Sequence, residues 1–431
     1  FLREQFAFME EIPATHQVPK NVLVQSILPR PNITENYEVK SYAAIVANRT
    51  SPKIDHALWA DISAAILDRS KDVVRCKECL YPVVGNADVA KSSGTCAYCA
   101  KSGETYAKLG PSEKKEFALK LENAERENKP ILLGLSGGRD SCFVLSELKE
   151  TLGVSNLITY TFDWGVNTPY ARNNVSKICA KFGVRNILVA ADIRKKRKNV
   201  RAIVKAYCSN PVPALVPLLM AGDKQFISSA KAISNQLDSS LEVFGFNPLE
   251  KTRFKEELVA SNLWPEDDEG LYGEDLALRG QMRLAAGYSY TLLKNPAYWS
   301  LSLVDAAKGF LNYYQSGVTR TNYFDYFEWN ESVVDAKLDS LGWQKNSERS
   351  SWRIGDGTSA FYNLAYCLSL GWCENDTLRA NQVRRGHIAA HTAEELIARD
   401  NSPNKEMMEW YFNILELDGD KYLRRLLNAY A

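Results

Sequence analysis

Between residues 131 and 192 the chain alternates short apolar runs with amphipathic stretches. The runs "ILLGL" (131–135), "NLITYTFD" (156–163) and "NILVAAD" (186–192) are short, rich in β-branched, leucine and aromatic residues, and predict buried strands. Between them, 142–152 places Phe143, Leu145, Leu148 and Leu152 on an apolar helical face and stops at Gly153. The stretch "TPYARNNVSKICAKFG" (168–183) opens on Thr-Pro and closes on Gly, again a helix. Strands alternating with helices predict βαβ units and a parallel sheet, with the loops after the strands gathered on one rim by right-handed crossovers. Upstream, 56–72 and 111–129 read as helices, the second largely polar. From about 295 onward helical periodicity and aromatics dominate, as in "AYWSLSLVDAAKGFLNYYQSG" and "MMEWYFNILELDGDKYLRRLLNAY". The plan expected is an N-terminal segment of unassigned role (1–70), a cysteine module (71–105), an α/β domain (106–295) and a helical C-terminal domain (296–431). No internal repeat or low-complexity tract interrupts it.

Composition narrows the class. The 431 residues suffice for two or three domains with separate cores, and 45% hydrophobic with 24% charged residues is ordinary for a globular chain. With 53 basic and 52 acidic residues, overall charge gives no reason to expect a nucleic-acid or membrane partner. No apolar run approaches the roughly 20 residues of a membrane span. The opening "FLREQFAFMEEIP" lacks the basic-then-apolar plan of a secretory signal, and it starts on Phe1 rather than Met, which leaves room for an upstream segment.

Nine cysteines, unevenly placed, do not read as a disulfide framework, so a reducing, cytoplasmic compartment is expected. Four of them form two C-x2-C pairs, Cys76–Cys79 and Cys96–Cys99, separated by sixteen residues. Each pair can wrap a tight turn that points both thiolates at one ion, and two turns supply a closed tetrahedral S4 site. Zn²⁺ in a structural role is expected, with an iron–sulfur cluster as the alternative. Cys179 and Cys208 stand alone and read as core cysteines, or as persulfide carriers if sulfur is transferred.

The stretch "SGGRDS" (136–141) sits between the first strand and its helix. A glycine-rich strand-to-helix loop offers unpaired backbone N–H groups with the positive end of a helix dipole behind them, which suits an anion. It has no P-loop lysine and is not G-x-G-x-x-G. It does match SGGxDS, and here the chain resembles the PP-loop ATP pyrophosphatases, a group that includes asparagine synthetase, GMP synthetase and tRNA-thiolating enzymes. That resemblance implies an α/β fold with a parallel-sheet, adenine nucleotide α-hydrolase-like (HUP) core, cleavage of ATP between its α and β phosphates, and pyrophosphate held by Ser136, Gly137, Gly138, Asp140 and Ser141. Asp140 would reach it through Mg²⁺, and Arg139 occupies the variable position.

A narrower resemblance runs over about residues 75–400. The four-Cys knuckle upstream of the loop, "YTFDWGVNTPYARNNVSKICAKFGV", "LMAGDKQF" (219–226), "FGFNPLEKTRFKEEL" (244–258) and "SWRIGDGTSAFYN" (351–363) look like blocks of the N-acetyl sugar amidotransferases of surface-polysaccharide biosynthesis. This implies a sugar or nucleotide-sugar acceptor whose carbonyl is adenylated and then attacked by ammonia. The residues agree with it in kind. Asp163 lies just past a strand, where a carboxylate can accept from ribose hydroxyls or hold Mg²⁺, or merely hold a turn. Asn167 and Asn174 can touch nucleotide or cap the helix. Asp223 and Lys224 pair an acid with a point charge suited to phosphate or Mg²⁺, or form a surface pair. Asn247 and Glu250, with Arg353 and Asp356, fit the rim of a site as well as ordinary turns. Asp140, Ser141 and Lys224 are the expected catalytic set.

The basic run 192–201 reads as a solvated helix start or a contact for an anionic acceptor, and His16, His56, His387 and His391 show no ligand spacing. No glutaminase constellation is visible, so ammonia is expected from a glutaminase subunit or an upstream glutaminase domain. A tRNA thiolase is the first alternative, although the neutral balance makes a nucleic-acid partner unexpected. A non-catalytic nucleotide-binding scaffold is the second. A homo-oligomer is compatible with the sequence.

Overall fold

The computed structural model describes residues 53–83, 94–100, 109–250, 254–260, 278–315, 321–345, 353 and 355–430. The segment 1–52 with His16, the knuckle interior 84–93, and 251–253, 351–352 and 354 of the blocks quoted above lie outside the described residues.

In chain order the main elements begin with α1 (His56–Lys71), α2 (Pro111–Arg126), β1 (Ile131–Gly134), α3 (Arg139–Ser146) and β2 (Leu157–Asp163). There follow α4 (Pro169–Phe182), β3 (Arg185–Ala190), α5 (Ile193–Ser209), α6 (Phe226–Leu237), β4 (Leu241–Phe244), α7 (Phe254–Ala260), α8 (Leu278–Lys294) and α9 (Ser302–Gln315). The chain then adds β5 (Thr321–Asn322), α10 (Glu331–Ser340), α11 (Thr358–Leu370), α12 (Glu374–Arg384), α13 (Ala390–Asp400), α14 (Lys405–Ile414) and α15 (Gly419–Tyr430). Two helix starts flanking the site have a local cause: Thr168 caps α4 ahead of Pro169, and Asp192 caps α5 by accepting from the Lys195 N–H. Gly183 in the left-handed conformation ends α4.

The sheet is fully parallel in the order β3-β2-β1-β4-β5, with Ile131 level with both Leu157 and Leu241. Side-chain alternation divides its two faces. Ile131, Leu133 and Val243 face a core with Phe117 of α2, Leu145 of α3, Ile178 of α4 and Leu338 of α10, whereas Leu132, Tyr160 and Phe244 face Ala230 and Ile233 of α6. From β1 the chain winds outward through β2 to β3, then returns across the sheet to β4 on the other side of β1. The loops leaving β1 and β4 therefore part from each other, and a doubly wound sheet opens its crevice at that switch point.

A second core is built around α11, whose Phe361, Ala365 and Leu368 are fully buried. It draws on Leu58 and Ile62 of α1, Val204 and Tyr207 of α5, Tyr411 of α14 and Leu426 of α15, and also on Trp164 just after β2. The α/β core, the four-Cys cluster and the helical C-terminal region expected from sequence are all present. The packing is more interleaved than the linear plan: Thr321–Asn322 supplies the fifth strand, α10 lies in the core with α3, and α1 packs with the C-terminal helices. Among the described residues no helix is long and apolar enough to cross a membrane.

Candidate active site

The loop between β1 and α3 is shaped from inside and outside. Gly137 has φ +79°, and a Cβ there would lie 2.1 Å from the Ala171 carbonyl oxygen, so only glycine lets the loop settle against α4. Ser141 Oγ accepts from the Ser136 N–H at 3.2 Å and lies 3.1 Å from Ser136 Oγ, and Ser136 Oγ accepts from the Gly138 N–H. The two serines thus tie the loop to the first turn of the helix. Gly138 is the N-cap of α3 and no side chain caps that end. The N–H groups of the first turn are left for whatever binds in front of them.

Neighbouring glycines bring other segments close. A Cβ on Gly245, just past β4, would sit 3.2 Å from the Asp140 carbonyl, and one on Gly355 would be 3.9 Å from Gly138. The turn at 355–357 is stitched to the rim of β2 by Thr168 N–H to the Gly355 carbonyl (3.3 Å) and Gly357 N–H to the Val166 carbonyl (3.0 Å), with Asn167 bridging Asp356. The ends of β1, β2 and β4 and this distant turn therefore meet around one loop.

The acids in the site are poorly solvated. Burial, reinforced by Asp223, pushes the Asp356 carboxyl up to about 7, against a hydrogen bond from the Thr358 N–H and the charge of Lys224. Asp356 Oδ1 takes that hydrogen bond at 2.9 Å, while its Oδ2 is buried without a hydrogen-bond partner. Burial also raises Asp223, opposed by Lys224 and Lys196. Asp140 is pushed up to about 6, first by burial and then by Glu250, with Arg139 opposing. Its Oδ1 accepts from Trp329 Nε1 at 2.7 Å.

The structure brings some of the sequence-predicted residues together and sets others apart. Ser136, Gly137, Gly138 and Ser141 form the loop, and Asn167, Asp223 and Lys224 gather near Asp356. Glu250 pairs with Arg353 at 3.1 Å, and its charge acts on Asp140 and Arg139. Asp163 accepts from the Gly165 N–H (2.9 Å) and pairs with Arg172 (2.8 Å). Arg139 is buried against α10, pairing with Glu331 at 3.0 Å and lying 4.8 Å from the Trp329 ring. Asn247, 5% exposed, accepts from the Leu249 N–H while its Nδ2 has no hydrogen-bond partner. The basic run is partly absorbed by the fold, because Lys196 pairs with Asp305 at 2.7 Å and Arg197 donates to the Gly165 carbonyl at 2.7 Å. Cys179 and Cys208 are buried, and burial pushes the Cys208 thiol up to about 12, a poor state for a sulfur nucleophile.

Trp329, Glu331 and Trp343 went unnoticed in the sequence, yet all three touch the loop or its flanking residues. Trp329 and Glu331 fall in "YFEWNES", before a helix, a run that does not by itself mark a site.

The four cysteines converge as the spacing predicts. The Sγ atoms of Cys76, Cys79, Cys96 and Cys99 all lie within 4.8 Å of one another, and the Cys96 N–H donates to Cys76 Sγ. Gly94, at φ +74°, accepts from the Lys77 N–H and closes the two turns together. Four thiolates at this spacing fit a tetrahedral metal. Arg384 of α12 donates to Cys79 Sγ at 2.9 Å, a partner outside the ligand set.

No family model matches the chain, and no curated relative does. Among solved structures it aligns with an NH3-dependent NAD synthetase from Campylobacter jejuni in complex with the nitrate ion. That alignment has 15% identity, covers 46% of this chain and 94% of the other, and has a TM-score of 0.23. It also aligns with the U34-tRNA thiolase NcsA from Methanococcus maripaludis with its [4Fe-4S] cluster, at 18% identity, 63% and 89% coverage and a TM-score of 0.23. Likeness this distant leaves the chemistry of the site to be argued from its own residues.

Proposed function

We propose that the chain is an ATP-dependent amidotransferase of the AMP- and pyrophosphate-forming kind, acting on a sugar or nucleotide-sugar acceptor. The observation that carries this reading is the uncapped N-terminus of α3 behind "SGGRDS", placed where the β1 and β4 loops part. Ser136, Ser141 and the first-turn N–H groups would hold the β and γ phosphates of ATP, with Lys224 as a further positive charge. An acetamido or similar carbonyl oxygen of the acceptor attacks the α phosphorus. The bond to the bridging oxygen breaks and pyrophosphate departs with the electron pair. Ammonia then adds to the activated carbon, loses protons, and expels AMP with the former carbonyl oxygen. Preorganised donors around a charged leaving group suit this step, and the protein itself needs no covalent nucleophile. Mg²⁺ would neutralise phosphate charge, and the acids on offer to it are Asp140 on the loop and, as a separate neighbouring pair, Asp223 and Asp356. The resemblance of the blocks at 219–226, 244–258 and 351–363 supports the sugar acceptor.

Zinc is the metal proposed for the four cysteines. A single ion holds four thiolates close together, about as found here, whereas a cubane cluster spreads them because each binds a different iron. Its place is structural, since four thiolates leave no open position. A glutaminase partner or domain would deliver the ammonia.

The test supplies Mg-ATP and ammonium with pooled UDP-acetamido sugars in one arm and bulk tRNA in the other. AMP and pyrophosphate formed only with sugars is the expected result. The same products only with tRNA would replace this reading by RNA modification, and ADP with phosphate would refute the proposed role of the loop.

A further inference from the structure

Resting on the loop as an anion site, we propose that Trp343 and Asn174 are positioning residues that lock the Gly137–Gly138 peptide in its binding orientation. The Gly137 carbonyl oxygen accepts from Asn174 Nδ2 at 3.2 Å and from Trp343 Nε1 at 3.1 Å. A carbonyl has two lone pairs, so this one is fully engaged on the side away from the open helix end. The peptide is planar, and its N–H, that of Gly138, must then face the other way, where Ser136 Oγ receives it.

The need for such a lock follows from the sequence. Gly-Gly is the pair of residues with the fewest steric limits, and a peptide between two glycines can turn over at little cost. Turned over, it would present a carbonyl to an incoming phosphate. Two segments, tied to each other, prevent this. Asn174 is fully buried on α4, and its side-chain amide also pairs with the Gln344 backbone, accepting from the N–H at 2.8 Å and donating to the carbonyl at 2.9 Å. Trp343 is delivered by the end of α10, where Gly342 at φ +70° turns the chain and the Trp343 N–H returns to the Leu338 carbonyl at 3.0 Å. The tryptophan side chain has a single donor, and here it reaches a glycine carbonyl 206 residues away, beside the Cys142 thiol.

The experiment compares wild type, Trp343→Phe and Asn174→Ser. Titration calorimetry measures Mg-pyrophosphate affinity, steady-state kinetics measure KM for ATP against kcat, and a melting curve follows the fold. Trp343→Phe keeps a ring and removes the donor. One lost hydrogen bond predicts pyrophosphate binding weakened roughly 5- to 10-fold and a matching rise in KM, with kcat and melting temperature little changed. Asn174→Ser removes the other donor and is expected to weaken binding at least as much. Wild-type affinity retained by both variants would overturn the positioning role. So would affinity losses that merely track a fall in melting temperature. If wild type itself binds no pyrophosphate, the anion reading of the loop fails instead.

Discussion

Asp356 illustrates what a site asks of one residue. Its carboxyl is raised to about 7 by burial and by Asp223, and one oxygen has no hydrogen-bond partner. A carboxyl whose pKa is higher folded than unfolded retains a proton that the unfolded chain has already released. Its charge therefore penalises the fold increasingly as pH rises from about 4 to 7, and the penalty is constant above that. The ligand-free Asp356→Asn variant should match wild type near pH 3.5 and exceed it at pH 8, by up to a few kcal/mol on the scale of the shift. Denaturant melts at both values measure this, and a variant weakened equally at both would show that the carboxyl carries no penalty. The place of the loop in the fold was legible in the sequence, because glycines and serines between an apolar strand and an amphipathic helix mark such a turn locally. Trp329 and Trp343 were not legible: the indole N–H groups of both reach partners some 190 to 206 residues away, and nothing local marks them.

At the scale of elements, the strands and helices from 131 to 190 follow their apolar periodicity, since each has one face or both against a core. Helix α12 does not. Its residues Glu374 to Gln382 are all buried although mostly polar, because its partners are polar as well. Arg379 pairs with Asp400 at 2.7 Å and with Glu331, and Gln382 donates to Glu331 at 2.9 Å. Periodicity detects partition between water and an apolar core, so a helix held by a buried charge network leaves no such trace. β5, two residues long, is silent for a simpler reason: it is too short to show a pattern. Glu331 is central to the network. Burial pushes its carboxyl up, but Arg379 and Arg139 more than offset this and hold it at about 2. Its contribution to stability is present above pH ~4.5 and is lost as pH falls toward 2. Glu331→Gln leaves two buried guanidinium groups short of a counter-charge and should cost about 3–5 kcal/mol at pH 7, with the gap to wild type narrowing in acid. A urea midpoint unchanged at pH 7 would refute that role.

Across the whole molecule, α12 joins the cysteine cluster to the flank of the β1–α3 loop. The cluster packs on Ala380 and Val383, Arg75 pairs with Asp376 at 2.6 Å, and Arg384 reaches Cys79. From the same helix Asn381 donates to the Leu249 carbonyl at 2.6 Å, next to Glu250, and Arg379 holds Glu331, which in turn holds Arg139. Four crowded thiolates without a metal would repel one another or take up protons, and in either case the two turns lose the ion that draws them together. Because the turns form one wall around α12, metal loss should loosen the helix on which the loop's flank depends. Stripping the metal under reducing conditions, or Cys79→Ser, is therefore expected to lower the melting temperature by roughly 3–5 °C, the scale of a few kcal/mol in a chain of this size. Pyrophosphate affinity should fall with it, and one equivalent of Zn²⁺ should restore both in the stripped wild type but not in the variant. Metal analysis must accompany the melts. A chain shown to be metal-free that melts and binds as before would separate the cluster from the site, leaving α12 stable on its own polar contacts.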